Sequence, residues 1–313
     1  MNKFLYLLIC ACVLPGFNAF VKWNGLKATW CPGSVKNEYC FQDIPRTVES
    51  ALNSGWRKVE GSTCHNNGAF NGFRMVKKDD YALTPLYDDH GIIAGIQVNV
   101  LKSELFATPN QYKYDEVSDY LDNSIENHPI YSLTTYFVDP SSICGNGRSL
   151  RQLELEGTGS RIYFQTGKTP KQLRQIPLYR NEAEKMYTSV NCVPTMGHHN
   201  YYDLPNVHLS NCTKFIPSFL LFNNNGELHG FGQATISNLS SPRFEDVNGL
   251  AVKVAMDPIT PECMLNTAES APGFSNIHFF LVDAPSSIKC GPLNQIKADG
   301  NSIYINPNVF VEH

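Results

Sequence analysis

Apolar positions along this chain come in short runs, separated by clusters of Gly, Pro and Asn, and few stretches carry a sustained helical stripe. Residues 132–138 (SLTTYFV) and 161–165 (RIYFQ) are rich in β-branched and aromatic side chains, which predicts strands. Residues 219–222 (FLLF) are apolar at every position, as a strand covered on both faces would be. They run into Asn223-Asn224-Asn225-Gly226 and then residues 228–233, a pattern that predicts a hairpin with an Asn-Gly turn. Residues 277–282 (IHFFLV) predict another strand of the doubly covered kind. Asp299-Gly300 before residues 303–305 predicts a terminal hairpin. Helical signals are fewer. Asp43-Ile44-Pro45 opens a segment with Val48, Ala51 and Leu52 on one face, and Gly55 follows it. Shorter helical patterns lie around residues 115–121 and 181–186. Many short strands between turn residues predict a mainly β fold, with α+β as the other possibility. The expected core is an antiparallel sandwich or barrel with a few short helices.

The N-terminal stretch follows a different rule. Lys3 precedes an uncharged run at residues 4–14 (FLYLLICACVL), Pro15-Gly16 interrupts it, and Ala19 offers a small residue for cleavage. That is the layout of a secretory signal peptide over residues 1–19, and the run is too short to cross a bilayer as a helix. The alternative is a buried N-terminal helix. No later run approaches the roughly eighteen apolar residues of a transmembrane helix, so the sequence predicts no membrane anchor. No linker rich in Pro, Ser or charge divides the remainder. Residues 20–313 read as one secreted domain, or as two closely packed halves meeting near residue 145.

Export changes the cysteine arithmetic. Cys10 and Cys12 leave with the leader, so ten cysteines become eight: Cys31, Cys40, Cys64, Cys144, Cys192, Cys212, Cys263 and Cys290. An even number on an oxidising route predicts four disulfides, in any of about 105 pairings. No C-x-x-C is present, and an even count argues against an unpaired catalytic thiolate. Asn238-Leu239-Ser240 and Asn211-Cys212-Thr213 are glycosylation sequons, the second with a cysteine expected to be bridged at its centre. The formal charge of −4 becomes −5 once Lys3 is lost. With no dense basic run, the chain lacks the footprint of a nucleic-acid partner. A hydrophobic content of 42% excludes a disordered chain.

Recognisable catalytic motifs are absent: no G-x-S-x-G, H-E-x-x-H, G-x-G-x-x-G or EF-hand loop occurs. Gly167-Lys168-Thr169 imitates the end of a phosphate-binding loop, but Ile162 stands where the first glycine would be. The densest polar and aromatic cluster is Met196-Gly197-His198-His199-Asn200-Tyr201-Tyr202-Asp203. His199 and Tyr201, together with His229 and His278 from predicted strands, are the candidates for acid–base chemistry. His199, His229 and His278 are the candidate metal ligands. His198 cannot join them on a strand, because neighbouring side chains point to opposite faces. His229 shares its predicted face with Phe231 and Gln233, and His278 with Phe280 and Val282. Those apolar faces favour hydrogen-bonded core histidines instead. Asp88-Asp89-His90-Gly91 could be a cation site or a carboxylate–histidine pair, but its place between two apolar runs is explained by turn chemistry. Trp23, Trp30 and Trp56 are expected to pack the N-terminal segment onto the core rather than to form a sugar platform.

Three stretches carry a resemblance. They are Pro85-Leu86-Tyr87-Asp88 with Ile93-Ala94-Gly95-Ile96-Gln97; Cys192 with Met196-Gly197, His199 and Tyr201-Tyr202; and Phe219-Leu220-Leu221-Phe222 with Leu228-His229-Gly230-Phe231-Gly232. Together they resemble a family of secreted, cysteine-containing invertebrate proteins of uncharacterised function. The resemblance implies export and one domain, and supplies no catalytic residue or cofactor. The sequence therefore points first to a secreted, disulfide-stabilised glycoprotein that binds an extracellular ligand or small molecule, or serves in a matrix or secretion. The alternative is a secreted enzyme with a histidine-centred pocket: a hydrolase or an oxidase of small aromatic molecules, a luciferase-type oxygenase among them.

Overall fold

The computed structural model describes residues 23–31, 38–105 and 112–291. The predicted leader and the predicted terminal hairpin lie outside the described residues.

In chain order the strands and helices begin with β1 (Lys27–Ala28), β2 (Gln42–Asp43), α1 (Val48–Asn53), β3 (Trp56–Lys58) and β4 (Phe73–Lys77). Next come β5 (Leu83–Tyr87), β6 (Ile93–Leu101), β7 (Tyr120–Ile125), β8 (His128–Tyr136), α2 (Leu150–Glu156), β9 (Ile162–Gln165) and β10 (Leu173–Ile176). After α3 (Arg180–Ala183) follow β11 (Tyr187–Val193), β12 (Gly197–Tyr202), α4 (Leu204–Leu209), β13 (Ser218–Phe222) and β14 (Leu228–Thr235). Then β15 (Glu245–Asp246), α5 (Gly249–Met256), α6 (Glu262–Ala268) and β16 (Ser275–Phe280) complete the described elements. The fold is mainly β, 35% strand against 21% helix, in two antiparallel sheets of eight strands. The first sheet has the order β10-β9-β8-β6-β5-β4-β3, with β7 on β8; the second runs β11-β12-β13-β14-β16-β1-β2, with β15 on β16.

The sheets meet over a shared core. Phe231 of β14 lies 5.8 Å from Phe164 of β9 and 6.4 Å from Phe137, measured between ring centroids. Gln233 Nε2 donates to Thr135 Oγ1 across the same gap at 3.2 Å. Strands β5, β13 and β14 are buried along their whole length, which is why residues 219–222 of β13 are apolar at every position. The predicted hairpin is present: Gly226 adopts φ 75°, and Asn223 Oδ1 accepts from the backbone N–H groups of Asn225 and Glu227.

The pattern over residues 115–121 predicts a helix and the structure differs. A single 3₁₀ turn at Tyr114–Glu116 leads straight into β7, which pairs with β8. The rings of Tyr112, Tyr114, Tyr120 and Tyr131 pack edge-on or stacked, with Tyr114 5.0 Å from Tyr112 and from Tyr120. That tertiary packing overrides a weak local preference. Trp23 and Trp56 are buried, and Trp23 Nε1 donates to Leu228 O at 3.1 Å, so the N-terminal segment is pinned to β14.

All eight expected cysteines are bridged. The pairs are Cys31–Cys40, Cys64–Cys144, Cys192–Cys290 and Cys212–Cys263. The second ties the loop after β3 to the segment before α2. The fourth ties the end of α4 to α6.

Candidate functional site

Antiparallel register brings part of the predicted cluster together. Tyr201 lies opposite Phe219, Phe219 opposite Gly232, and Gly232 opposite His278, so one row crosses four strands. His199 stands two residues before Tyr201 on the same face of β12. Its ring centroid is 5.9 Å from His278 and 5.6 Å from Phe219. Phe219 is 5.2 Å from His278 and 5.1 Å from Tyr201. This is an aromatic layer containing two imidazoles, His199 stacked on Phe219 and His278 edge-on to both. Gly232 makes it possible, since a Cβ there would stand 2.0 Å from Phe219 Cζ.

Each histidine has a defined partner. His278 Nδ1 lies 2.8 Å from Glu245 Oε2, and the Trp30 backbone N–H donates to Glu245 Oε1 at 2.8 Å. His199 Nδ1 is 3.2 Å from Gly197 O. His229 is the extra residue at a bulge in the β13–β14 ladder, between the paired Leu228 and Gly230, and its Nε2 reaches Met196 O at 2.8 Å. Exposure is 1% for His199, 3% for His229 and 1% for His278. Burial holds His199 well below the usual imidazole range, with the neighbouring His278 adding to the effect. Burial likewise pulls His229 down to about 4. Burial pushes the Tyr201 phenol above its ordinary value, and the Glu245 carboxylate acts in the same direction. A neutral imidazole could accept a proton or ligate an ion, but only if a reactant reached it. Among the described residues, no three His, Cys, Asp or Glu side chains gather as a metal-holding group.

The Asp88-Asp89-His90-Gly91 segment forms the β5–β6 turn. Asp88 is buried and accepts from the backbone N–H groups of His90, Ile92 and Arg148, at 2.8 to 3.0 Å. Asp89 accepts from Gly145 N. Both carboxylates thus fasten the turn to the segment that follows Cys144. The sequon residues Asn211 and Asn238 are exposed, each in a connection between elements.

Open space lies elsewhere. Three clefts of about 280, 490 and 500 Å³ are lined by Tyr112, Cys212 and Asn266; by Ser62, Arg74 and Asn123; and by Arg180, Glu184 and Asn224, with their neighbours. None of the three is lined by His199, Tyr201, His229 or His278. Sequence reasoning missed Arg74 altogether. Its one signal was a charge set between Phe73 and Met75, inside a strand rather than at its end.

The chain matches no protein-family model, no curated protein and no solved structure. Fold and site define a disulfide-braced, two-sheet β protein, and any role must be argued from its own side chains. Among the described residues no helix is long and apolar enough to cross a membrane.

Proposed function

We propose that this protein is an exported, disulfide-stabilised glycoprotein whose role is to bind an extracellular ligand. The observation that carries the reading is the four-disulfide bracing of a β-rich frame, a device suited to oxidising surroundings. The uncharged run behind Lys3 serves as the export signal, and Asn238, with Asn211 as the second sequon, carries glycan. Binding is favoured over catalysis because the three candidate histidines are at most 3% exposed and line none of the clefts, whereas the clefts offer hydrogen-bonding side chains such as Ser62, Asn123 and Asn266.

Diethylpyrocarbonate labelling of the native protein, read by peptide mass mapping, tests the choice. His199, His229 and His278 are expected to stay unlabelled until the protein is denatured. Rapid labelling of His199 or His278 in the native state would return the histidine-centred enzyme to the front.

A further inference from the structure

The first sheet has an outer face that alternates between apolar and polar. Phe70, Leu86 and Tyr136 form one apolar patch and Val76, Ile125 and Ile130 another. Between them runs a row of buried polar side chains. Arg74 Nε donates to Gln97 Oε1 at 2.6 Å, and Gln97 Nε2 donates to Thr134 Oγ1 at 2.8 Å. Arg74 Nη1 donates to Ser124 O at 2.8 Å. Its Nη2 is buried and makes no hydrogen bond among the described residues.

Arg74 is 4% exposed, its guanidinium lies 4.4 Å from the Phe70 ring centroid, and no described carboxylate pairs with it. Burial lowers its pKa to about 9, so it remains a cation at neutral pH. A buried cation without a counter-charge is costly. Asn123 repeats the pattern. Its Oδ1 accepts from Ser124 N at 2.7 Å, which leaves Nδ2 buried and without a partner among the described residues. Both residues line the 490 Å³ cleft, and the Ser124 backbone that Arg74 grips adjoins Asn123 in the chain.

We propose that this cleft binds a small hydroxylated monocarboxylate, with Arg74 and Asn123 holding its carboxylate. Two unsatisfied donors on the wall of one cleft match the two oxygens of that group. The remaining wall, including Ser62, Thr63 and Asn67, supplies neutral partners for hydroxyls. Glu60 and Glu126 also line the cleft and repel polyanions such as phosphate. Glu126 is ionised, because the Arg57 guanidinium beside it holds its pKa down to about 2. An acidic sugar ending a glycan and a free hydroxy acid share this chemistry. The site deepens the binding reading above and rests on it for the ligand's source.

Isothermal titration of the full disulfide-bonded protein with glucuronate, N-acetylneuraminate, lactate, glucuronamide and inorganic phosphate tests it. At least one carboxylate should saturate the protein at one site, with an affinity about tenfold or more above that of glucuronamide and of phosphate. Asn123→Asp and Arg74→Gln should each weaken that carboxylate about tenfold or more; where Arg74→Gln fails to fold by circular dichroism, Asn123→Asp decides. An oligosaccharide ending in the same acid binds as well as the free acid if the source is a glycan, and more weakly if it is a free hydroxy acid. No saturable carboxylate, equal binding of acid and amide, tighter phosphate, or a folded Asn123→Asp of unchanged affinity overturns the site. Such a failure removes this cleft alone, because histidine labelling tests the broader reading separately.

Discussion

Phe219 lies over the backbone of β14 because residue 232 has no side chain, and its ring is confined by His199, Tyr201 and His278. Gly232→Ala would push a methyl into a ring with no room to turn. It should cost roughly 1–3 kcal/mol by urea denaturation, the usual penalty for overpacking. His229 makes a different prediction. An unfolded histidine titrates near 6.5, while burial holds this one to about 4. Below pH about 6.5 the unfolded chain takes up a proton that the folded chain refuses. Its contribution is therefore full above that pH and falls as the pH drops toward 4. His229→Gln can keep a donor to Met196 O while removing the titration. Over pH 6.5 to 4 the variant's stability should fall less steeply, by up to about 1.4 kcal/mol per pH unit. Asn200 shows the opposite economy: it is fully buried, and both its amide atoms lack partners among the described residues. Asn200→Leu should leave stability unchanged or raise its denaturation midpoint, since an unsatisfied buried amide is worse than an apolar replacement.

At the level of elements, legibility followed burial symmetry. Strands β13, β14 and β16 were readable because both of their faces are covered and the sequence has no reason to alternate. Helix α2 was missed although Ser149 and Gln152 form a capping box there. Two of its three leucines face solvent, Leu150 64% and Leu155 67% exposed, so no apolar stripe marks it. The capping signal alone was present, and Ser149→Ala should lower stability by about 1 kcal/mol. The disulfides show a similar division. Their number could be read from the sequence but their pairing could not, because partners are joined only by the folded topology. In sequence, Cys64 and Cys144 are 80 residues apart and Cys31 and Cys40 are 9. In the chain-entropy account, replacing the first pair by serine should cost more than replacing the second, within a range of about 2–5 kcal/mol. Paired chemical denaturation of the two variants checks the order.

For the whole molecule, the candidate cleft lay beyond sequence reading. Its two unsatisfied donors come from β4 and β7, some fifty positions apart, and share a wall through the sheet register that runs from β4 by β5, β6 and β8 to β7. A histidine draws the eye in a sequence; an arginine beside a phenylalanine does not. The core shared by the two sheets leads us to propose that residues 20–313 fold as one domain, for which calorimetry should record one cooperative transition. Export is the claim on which the functional account turns. It is tested most directly by producing the full chain in animal cells and measuring the recovered protein's mass after alkylation under denaturing, non-reducing conditions. The expected result is protein in the medium, shortened by the residue 1–19 leader, carrying glycan at Asn238, with none of its eight cysteines alkylated. Protein retained inside the cell with its leader attached and its thiols alkylated would contradict the account.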